Sequence, residues 1–574
     1  MTGTQTPADA AFQRLAARYV DEAPALAPVW ATWLGDHRHD DRLDEVTPEA
    51  RQAKANFCRE CLAELGRIDR GALSRASQVD AGMLEHRLRA EVWHLEELRE
   101  WAWNPMAYTG LAGSAVYTLM AREFAPRPER LRNVAARLEQ FGRLMGQVRA
   151  TLEPPLVPRV HAETAVKQNR GVLSVLDHLV APHLDELGPA DRARLEAAMQ
   201  TARSAVEDQQ RWLEAELLPK AAGDFRLGAE RYDRKLAFAL NSPLTRAQVR
   251  EQATAELARV REEMYEVALG VYRKEYPYTA APTAASAEYK QAIVRAALEL
   301  ACRQTPDPAR IVEEARASLA ELTAFVRDSG LVHLPPDPVE IIVMPEFRRG
   351  TTLAYCDSPG PLDVGQRTFY ALSPIPADWT DEQVRSFLRE YNLRSLANLT
   401  AHEAMPGHFL QLTHSNRYPS PLRAMLSSGV FVEGWAIYGE HVLVERGAYG
   451  DDPLMRLIVL KWLLRAIANA ILDQAVHVDG MTETDAMRLT MEQTFQEERE
   501  AAGKWVRAQL TSAQLSTYFV GYLEHVRLRR EAEAAWGEAF DLRRYHDTVL
   551  SFGSPPPRYV RALMLDRPID DARA

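Results

Sequence analysis

Cysteine is scarce in this chain, and long apolar runs are absent from it. The four cysteines among 574 residues, at positions 58, 61, 302 and 356, do not make a disulfide framework, which favours a reducing compartment. No segment has 18 apolar residues without a charge, and residues 1–30 lack the charged and apolar regions of a secretion signal. We therefore expect a cytoplasmic protein with no membrane partner.

Positive charge is also in deficit, and the sequence has no internal repeat or low-complexity linker. The formal net charge of -11 and the pI of about 5.8 give no attraction for phosphate backbones, so nucleic acid is not expected as a partner. Hydrophobic residues make up 46% and charged residues 26%, as in soluble globular proteins. The chain is longer than the chains that fold around a single hydrophobic core, and this length predicts two lobes with a cleft between them.

Apolar residues recur mostly at helical spacing, and this periodicity predicts a mainly α-helical protein. A proline cluster at 335–338 interrupts it, and short β-rich segments follow before the helical period returns. We predict an N-terminal helical lobe over residues 1–335 and a catalytic lobe over 336–574. The catalytic lobe is expected to hold a small antiparallel sheet that lines the cleft, at 336–376, and metal-binding helices at 385–521. The predicted strands are 339–343, 352–356 and 368–372, and the predicted helices are 385–412, 422–446, 453–477 and 482–519.

Residues 402–408 read His-Glu-Ala-Met-Pro-Gly-His, which is typical of a metal site except for its spacing. Two histidines four residues apart share a helix face, whereas a separation of six turns the second roughly 240° from the first. Pro406 removes an amide that the helix needs, and Gly407 permits unusual backbone angles. We therefore predict that the helix breaks here and that His402 and His408 bind one metal, with ligand atoms no more than about 5 Å apart.

Glutamates supply the other groups that a hydrolytic metal site needs. Glu403 is the natural general base, because it lies beside a ligand and is able to take a proton from the attacking water. Glu433 lies in the apolar segment Phe-Val-Glu-Gly-Trp-Ala, where a charge needs a positive partner, and it is the predicted third ligand. Glu440, seven residues later on the same helix face, is predicted to orient a metal-bound histidine. His414 and His441 are rival ligands that lie farther from the break.

The motifs HEAMPGHFLQ at 402–411 and VEGWAIY at 432–438 resemble those of the bacterial domain-of-unknown-function 885 family, whose members resemble zinc metallopeptidases. The block FQEEREAAGKWVRAQLTSAQLSTYFVG at 495–521 is similar to one subgroup, and the likeness covers nearly the whole chain. The resemblance implies a mostly helical, cleft-bearing fold similar to the helical zinc peptidases. Two departures are Phe409, where many members carry a second histidine, and the missing secretion signal. The positions that match the family's metal ligands and base are His402, Glu403, His408 and Glu433.

The C-terminal block also holds candidates for binding substrate. Glu497, Glu500, Lys504 and Arg507 are spaced to share one helix face, where solvated salt bridges are the alternative to a functional role. Arg507 is predicted to hold a substrate carboxylate with two hydrogen bonds. Because the similar helical zinc peptidases place a tyrosine of a late helix over the metal, Tyr518 is the candidate that stabilises the oxyanion.

Other polar residues are assigned from local spacing alone. Asp473 and His477 share a helix face, so His477 is a candidate transition-state donor oriented by Asp473, with a helix-terminal cap as the alternative. In the predicted sheet, Tyr370 or Tyr355 is a candidate to line a cleft for an extended substrate, and core packing is the alternative. The segment Asp-His-Arg-His-Asp-Asp at 36–41 holds carboxylates and imidazoles of the kind that bind metal, but adjacent side chains point apart, so a polar loop is predicted and a metal site is the alternative.

These residues together predict a zinc-dependent hydrolase with one divalent ion per chain. We expect it to be a peptidase that cleaves amide bonds of short peptides, from the carboxyl end, by water that Glu403 activates. Manganese, iron or cobalt would suit the same nitrogen and carboxylate ligands. A metal-dependent hydrolase or lyase for an amino-acid-like small molecule in specialised metabolism is a second hypothesis, and a non-catalytic binding protein with a structural metal is a third. The oligomeric state stays open, with a homodimer as one option.

Overall fold

The computed structural model describes residues 6–277, 285–349 and 353–569, and α-helices make up most of this part of the chain. Several helices begin at caps that the sequence supplies, as at Thr6, whose side chain accepts from the amide of Asp9. Sixteen described helices precede the sheet: α1 (Pro7–Glu22), α2 (Pro28–Leu34), α3 (Pro48–Leu65), α4 (Arg75–Trp93), α5 (Glu100–Trp103), α6 (Pro105–Met120), α7 (Arg127–Leu138), α8 (Phe141–Thr151), α9 (Arg159–Asn169), α10 (Gly171–Val175), α11 (Pro189–Trp212), α12 (Leu218–Lys220), α13 (Gly228–Leu240), α14 (Arg246–Glu275), α15 (Ala287–Cys302) and α16 (Ile311–Asp328).

Three strands form one small sheet: β1 (Val339–Val343), β2 (Ala354–Asp357) and β3 (Thr368–Leu372). The strand order is β1-β3-β2, with β1 parallel and β2 antiparallel to β3. The predicted antiparallel sheet is therefore wrong for β1. The chain pairs β2 with its successor β3, which then lies between β2 and β1 and runs in the same direction as β1. The alternation of apolar residues along a strand shows which of its faces is buried, but it does not show which strand lies beside it or in which direction that strand runs. Residue 352 of the second predicted strand lies outside the described residues.

Eleven described helices follow the sheet, and the strongly periodic segment at Pro453–His477 has the bounds that the sequence predicts. The other three predicted helices are each interrupted. Asn392, for example, caps a new helix by accepting from the amide of Ser395. The helices are α17 (Asp381–Glu390), α18 (Leu393–Glu403), α19 (His408–Ser415), α20 (Pro421–Met425), α21 (Gly429–Glu445), α22 (Pro453–His477), α23 (Glu483–Arg488), α24 (Glu498–Leu510), α25 (Ser516–Trp536), α26 (Leu542–Leu550) and α27 (Pro557–Leu565). The prediction of a mainly α-helical protein with a small sheet is confirmed.

Buried apolar side chains form clusters that hold the later helices around one point. One cluster joins the sheet to α18, α19, α21, α25 and α26, and it includes Tyr370, Leu399, Phe409, Trp435 and Leu528. Another joins α14 and α15 to α21, α22 and α25. Both clusters draw on α21 and α25, so these two helices are packed from two sides. The division into lobes at residue 335 and the cleft stay predictions. No helix among the described residues is long and apolar enough to span a membrane.

Candidate metal centre

A break at residues 404–407 separates α18 from α19. The amide of Gly407 donates to the carbonyl of Ala401 at 2.9 Å, so the chain folds back on the last turn of α18. A Cβ atom at position 407 would lie 1.9 Å from the carbonyl oxygen of His402. The backbone φ of Gly407 is -75°, outside the left-handed region, so the requirement for glycine comes from this close approach. The fold-back returns His408 to the side of His402.

The break docks against α21, the helix that carries the predicted third ligand. The indole Nε1 of Trp435 donates to the carbonyl of Pro406 at 2.8 Å, and both groups are buried. A Cβ atom at Gly439 would lie 3.2 Å from Cγ of the Pro406 ring, so α21 meets the break closely one turn later as well. These contacts fix the position of α21, and with it Glu433, relative to the two histidines.

The side chains of His402, His408 and Glu433 come together at this junction. Nε2 of His402 lies 3.6 Å, and Nε2 of His408 lies 3.4 Å, from the same Oε2 atom of Glu433. All three candidate ligand atoms lie within 4.8 Å of one another, inside the limit of about 5 Å for a shared metal. The side chains are 10%, 11% and 18% exposed, so the site is enclosed but reachable from solvent. We call these three residues the metal cluster.

Glu440 lies behind the metal cluster, as the sequence predicts. Its Oε1 accepts from Nδ1 of His402 at 2.7 Å, and its Oε2 accepts from Nδ2 of Asn398 at 2.6 Å. A proton on Nδ1 leaves the lone pair of Nε2 facing Glu433. Sequence reasoning did not identify Asn398. It lies one helical turn before His402, and this spacing is the only signal that could have found it.

Charge within the cluster follows from burial and from the neighbouring groups. Burial alone would raise the pKa of the Glu433 carboxyl, but His402 and His408 outweigh it and hold this pKa well below its ordinary value. Burial would lower the pKa of His402, but Glu433 and Glu440 raise it well above the usual range. The carboxylates therefore need positive charge between them, which either a protonated histidine or a metal cation would supply.

Unpaired buried atoms show that the cluster fits a divalent cation. Oε2 of Glu433 and Oε2 of Glu403 are buried without a hydrogen-bond partner, an arrangement that is costly unless another group satisfies them. Two imidazole nitrogens and one carboxylate oxygen form one of the ligand sets of catalytic zinc sites, which keep a fourth position open. Glu403 is then a second buried carboxylate beside the ligands. Burial is the largest influence on the Glu403 carboxyl and raises its pKa.

Tyr518 faces the metal cluster from α25. Its ring stacks near the ring of His402, with 6.5 Å between the centroids and an interplanar angle of 24°. Nη2 of Arg507 donates to the Tyr518 hydroxyl at 3.0 Å and to Oε1 of Gln514 at 3.1 Å. The structure therefore brings Tyr518 and Arg507, the predicted oxyanion and carboxylate residues, to the same side of the cluster.

A glycine contact between α21 and α25 sets the distance from Tyr518 to the cluster. A Cβ atom on Gly434 would lie 2.3 Å from the backbone of Gly521, and one on Gly521 would lie 2.2 Å from the carbonyl oxygen of Val430. The two helices thus touch backbone to backbone. Glu433 precedes one of these glycines directly, and Tyr518 lies one turn before the other.

Next to Arg507 is a buried network of polar side chains around Glu500. Arg465 pairs with Glu500 and donates to the hydroxyl of Tyr391 at 3.1 Å. Nζ of Lys504 lies 3.9 Å from Glu500, and its side chain is only 4% exposed. Burial, followed by repulsion from Arg465, lowers the pKa of Lys504 well below its ordinary value. Arg465 and Lys504 thus share the carboxylate of Glu500 in a buried setting, whereas Glu497 of the same helix face pairs with Arg389 at a partly exposed position.

The structure does not bring His477 to the metal cluster. This side chain is 2% exposed, and its Nε2 is held by the carbonyl oxygens of Ala508 at 2.9 Å and Thr511 at 2.8 Å. Asp473 accepts from the amide of Ala513 at 3.1 Å, in the turn before α25. The two residues share a helix face as predicted, but that face packs against the connection between α24 and α25. The geometry gives them a structural role and contradicts the predicted transition-state donor.

Tyr370 and the segment 36–41 both lie in packed surroundings. Tyr370 is 0% exposed and its hydroxyl lies 3.5 Å from Oγ1 of Thr400, so it packs beneath α18 and has no surface for substrate. The assignment of Tyr370 to substrate binding is wrong, and core packing is the correct alternative. In the segment 36–41, His37 is held between Asp40 at 3.0 Å and Asp363 at 3.2 Å in a short helical turn. Within the described residues neither this segment nor the rival histidines join a metal-binding group.

The family described as bacterial protein of unknown function (DUF885) matches residues 28–564. The chain belongs to this family. A "putative lipoprotein of unknown function" from Shewanella oneidensis is 32% identical, with a TM-score of 0.79 over 96% of this chain and 99% of that one. A "putative lipoprotein" from Colwellia psychrerythraea is 19% identical, with a TM-score of 0.77 over 97% of this chain and 100% of that one, and this likeness shows the fold. No functionally curated protein matches the chain. The family membership that the motifs indicate is confirmed.

Proposed function

We propose that the protein is a zinc-dependent hydrolase that cleaves amide bonds of short peptides from their carboxyl ends in the cytoplasm. The observation that carries this proposal is the convergence of the metal cluster, with three ligand atoms within 4.8 Å of one another, beside the spare carboxylate of Glu403. Three protein ligands and one open position are typical of catalytic zinc, whereas structural zinc is closed by four. A neighbouring carboxylate that is not a ligand supplies the base that such chemistry needs.

A divalent metal bound here would polarise the substrate carbonyl and make water a stronger nucleophile at neutral pH. Glu403 would take the proton from the attacking water and return it to the leaving amine. Its raised pKa favours the first step, because it makes this carboxylate a stronger base than an ordinary glutamate. Its position directly after His402 keeps the carboxylate beside the ligands.

Tyr518 would stabilise the oxyanion that forms during this attack. Arg507 donates to the phenol oxygen, which leaves the phenol proton free to point at substrate. Loss of one such donor in other hydrolases costs about 10²–10³ in kcat. We expect a loss of this size for Tyr518→Phe, measured by kcat on the best peptide substrate, with metal content unchanged. A smaller loss than about tenfold would contradict the role.

A free substrate carboxylate suits the charge around Arg507. Arg507 donates to the neutral side chains of Tyr518 and Gln514, and within the described residues no carboxylate contacts it. A charge in an enclosed site is costly without a counter-ion. An anion bound here would supply the missing negative charge. Arg507→Lys should therefore retain more activity than Arg507→Ala on a free-carboxylate peptide, and this difference should disappear on its C-terminal amide. Equal losses on both substrates would show that Arg507 does not bind the carboxylate.

Metal analysis of protein purified without added metal is the first test of the proposal. We expect about one zinc ion per chain in the wild-type protein and in Glu403→Gln, because glutamine at 403 leaves the three ligands in place. Turnover should be lost in Glu403→Gln alone. Asp479→Asn, which removes an exposed carboxylate that pairs with Arg250, is the control for loss of a carboxylate elsewhere.

A panel of dipeptides, acyl-amino acids and short peptides then identifies the reaction. Cleavage of peptides from the carboxyl end supports the proposal. A zinc-loaded protein that cleaves none of them would favour chemistry on an amino-acid-like small molecule, and full activity in Glu403→Gln would exclude the proposed base. The two similar structures are described as lipoproteins, so cell fractionation is the direct test of the cytoplasmic location.

A further inference from the structure

A cavity of about 370 Å³ lies between β2, α19 and α20. Tyr355 and Cys356 of β2 line one wall, Leu412 and Asn416 of α19 line another, and Met425 of α20 closes it. The volume is that of a small-molecule pocket and suits one amino-acid side chain.

The cavity lies along one face of α19, the helix that His408 begins. Leu412 and Ser415, four and seven residues after His408, lie on the same face as this histidine. On the opposite wall, the backbone of Cys356 hydrogen-bonds to the carboxyl of Glu403. The cavity therefore begins about one helical turn from His408, near the proposed base.

The cavity contains one uncompensated positive charge, that of Arg348. Within the described residues this guanidinium has no carboxylate partner, and its Nε is buried without a hydrogen bond. It lies over the ring of Tyr355, at 5.5 Å from the centroid. Asp357, the acidic residue of the lining, is already paired with Arg122 at 2.9 Å and accepts a hydrogen bond from the hydroxyl of Tyr117 at 2.7 Å.

We propose that this cavity is a substrate subsite for a side chain that ends in a carboxylate, such as glutamate, and that Arg348 binds that carboxylate. The inference rests on the proposed peptidase function, because it is the position beside the cluster that makes the cavity a subsite. The apolar stem of the side chain would pack against Leu412 and Met425. Trp33, a lining residue that is 44% exposed, would cover it from the solvent side.

The binding test uses N-acetylglutamate α-amide, which has a side-chain carboxylate and no free α-carboxylate, and its neutral isostere N-acetylglutamine α-amide. The protein used carries Glu403→Gln, which prevents turnover. Binding is followed by tryptophan fluorescence, and comparison with a Trp33→Phe variant identifies the part of the signal that comes from the cavity. The acid should bind at least about tenfold more tightly than the amide, because charge-assisted hydrogen bonds exceed neutral ones. Arg348→Gln should equalise the two ligands. Arg349→Gln is the matched control, since Arg349 is the next residue and donates to the carbonyl of Met344.

Turnover of matched peptides separates this inference from the function on which it rests. Selective binding of the acid that Arg348→Gln abolishes supports the subsite, even when no peptide is cleaved. Absence of cleavage would refute the peptidase function alone. Cleavage of glutamyl and glutaminyl peptides with equal kcat/KM, or equal binding of the two ligands, would overturn the subsite and leave the peptidase intact. Absence of binding by either ligand would overturn it as well.

Discussion

The hydrogen bonds of Glu440 allow a sharp test of whether His402 binds metal. Each carboxylate oxygen accepts one hydrogen bond, Oε1 from His402 and Oε2 from Asn398, and the Glu440 side chain is 1% exposed. Glutamine has the same shape but one accepting oxygen, so Glu440→Gln must turn its NH₂ group toward one of the two donors. If it faces His402, the proton of that ring moves to Nε2 and the ligand lone pair is lost. If it faces Asn398, the Asn398 amide must turn its Oδ1 toward it, and His402 then donates to a neutral amide oxygen in place of a carboxylate.

The expected effect on metal affinity follows from this loss of orientation and charge. Replacing the group behind a metal-bound histidine typically weakens binding 10–100-fold, which is about 1.4–2.7 kcal/mol. We expect a weakening in this range for Glu440→Gln. The removal of a negative charge next to the cation adds to the effect, because both partners lie in a buried site with a low effective dielectric constant.

Competition of the protein with a chromophoric chelator measures the zinc dissociation constant. Glu445→Gln is the matched control, since Glu445 lies on the same helix and pairs with Arg529 at 2.7 Å but is half exposed. Its zinc affinity should equal that of the wild-type protein. A Glu440→Gln protein that remains folded and binds zinc as tightly as the wild type would refute the assignment of His402 as a ligand.

Two further predictions concern the helix break and pH. Gly407→Ala should lower zinc content sharply while retaining the helical circular dichroism, because a Cβ atom would lie 1.9 Å from the carbonyl oxygen of His402, and stoichiometric zinc in this variant would contradict the proposed break. Burial opposes protonation of His37, but Asp363 and Asp40 raise its pKa to about 9, above the ordinary 6.5. The ion pairs of protonated His37 stabilise the fold by at most about 3 kcal/mol. This stabilisation is therefore complete below pH 6.5 and is lost as the pH rises through 9. Urea unfolding of His37→Gln should depend less on pH across this range than that of the wild type, and identical pH profiles would count against the ion pairs.

Local signals were sufficient for the metal cluster and for the most periodic elements. The Pro406-Gly407 pair indicates a helix break without any knowledge of the fold, because proline removes a donor and glycine permits close approach. Glu433 was found because a charge in an apolar helix needs a partner. The helix at Pro453–His477 and the strands β1 and β3 were predicted with the observed bounds, since each has one dominant period between clear stop signals.

Long-range pairing accounts for the predictions that failed. The direction of β1 relative to β3 depends on the order of the strands in the sheet, and no residue within the three strands indicates that order. Likewise, the spacing of Asp473 and His477 shows that they share a face but not which neighbour that face meets. The burial of Lys504 could not be read from α24 alone, because Arg465, the residue that repels it, comes from α22.

The glycine contact between α21 and α25 has a consequence for altering this protein's chemistry. A spacing set by two backbones has no side-chain rotamers through which it can relax, so it is insensitive to the identity of the surrounding residues. Glu433, the proposed third ligand, and Tyr518 are carried by these two helices. New side chains at position 518, or at 514 just before α25, would therefore change what faces the metal cluster without moving Glu433. This makes the start of α25 the place to begin when redirecting the proposed site to another substrate.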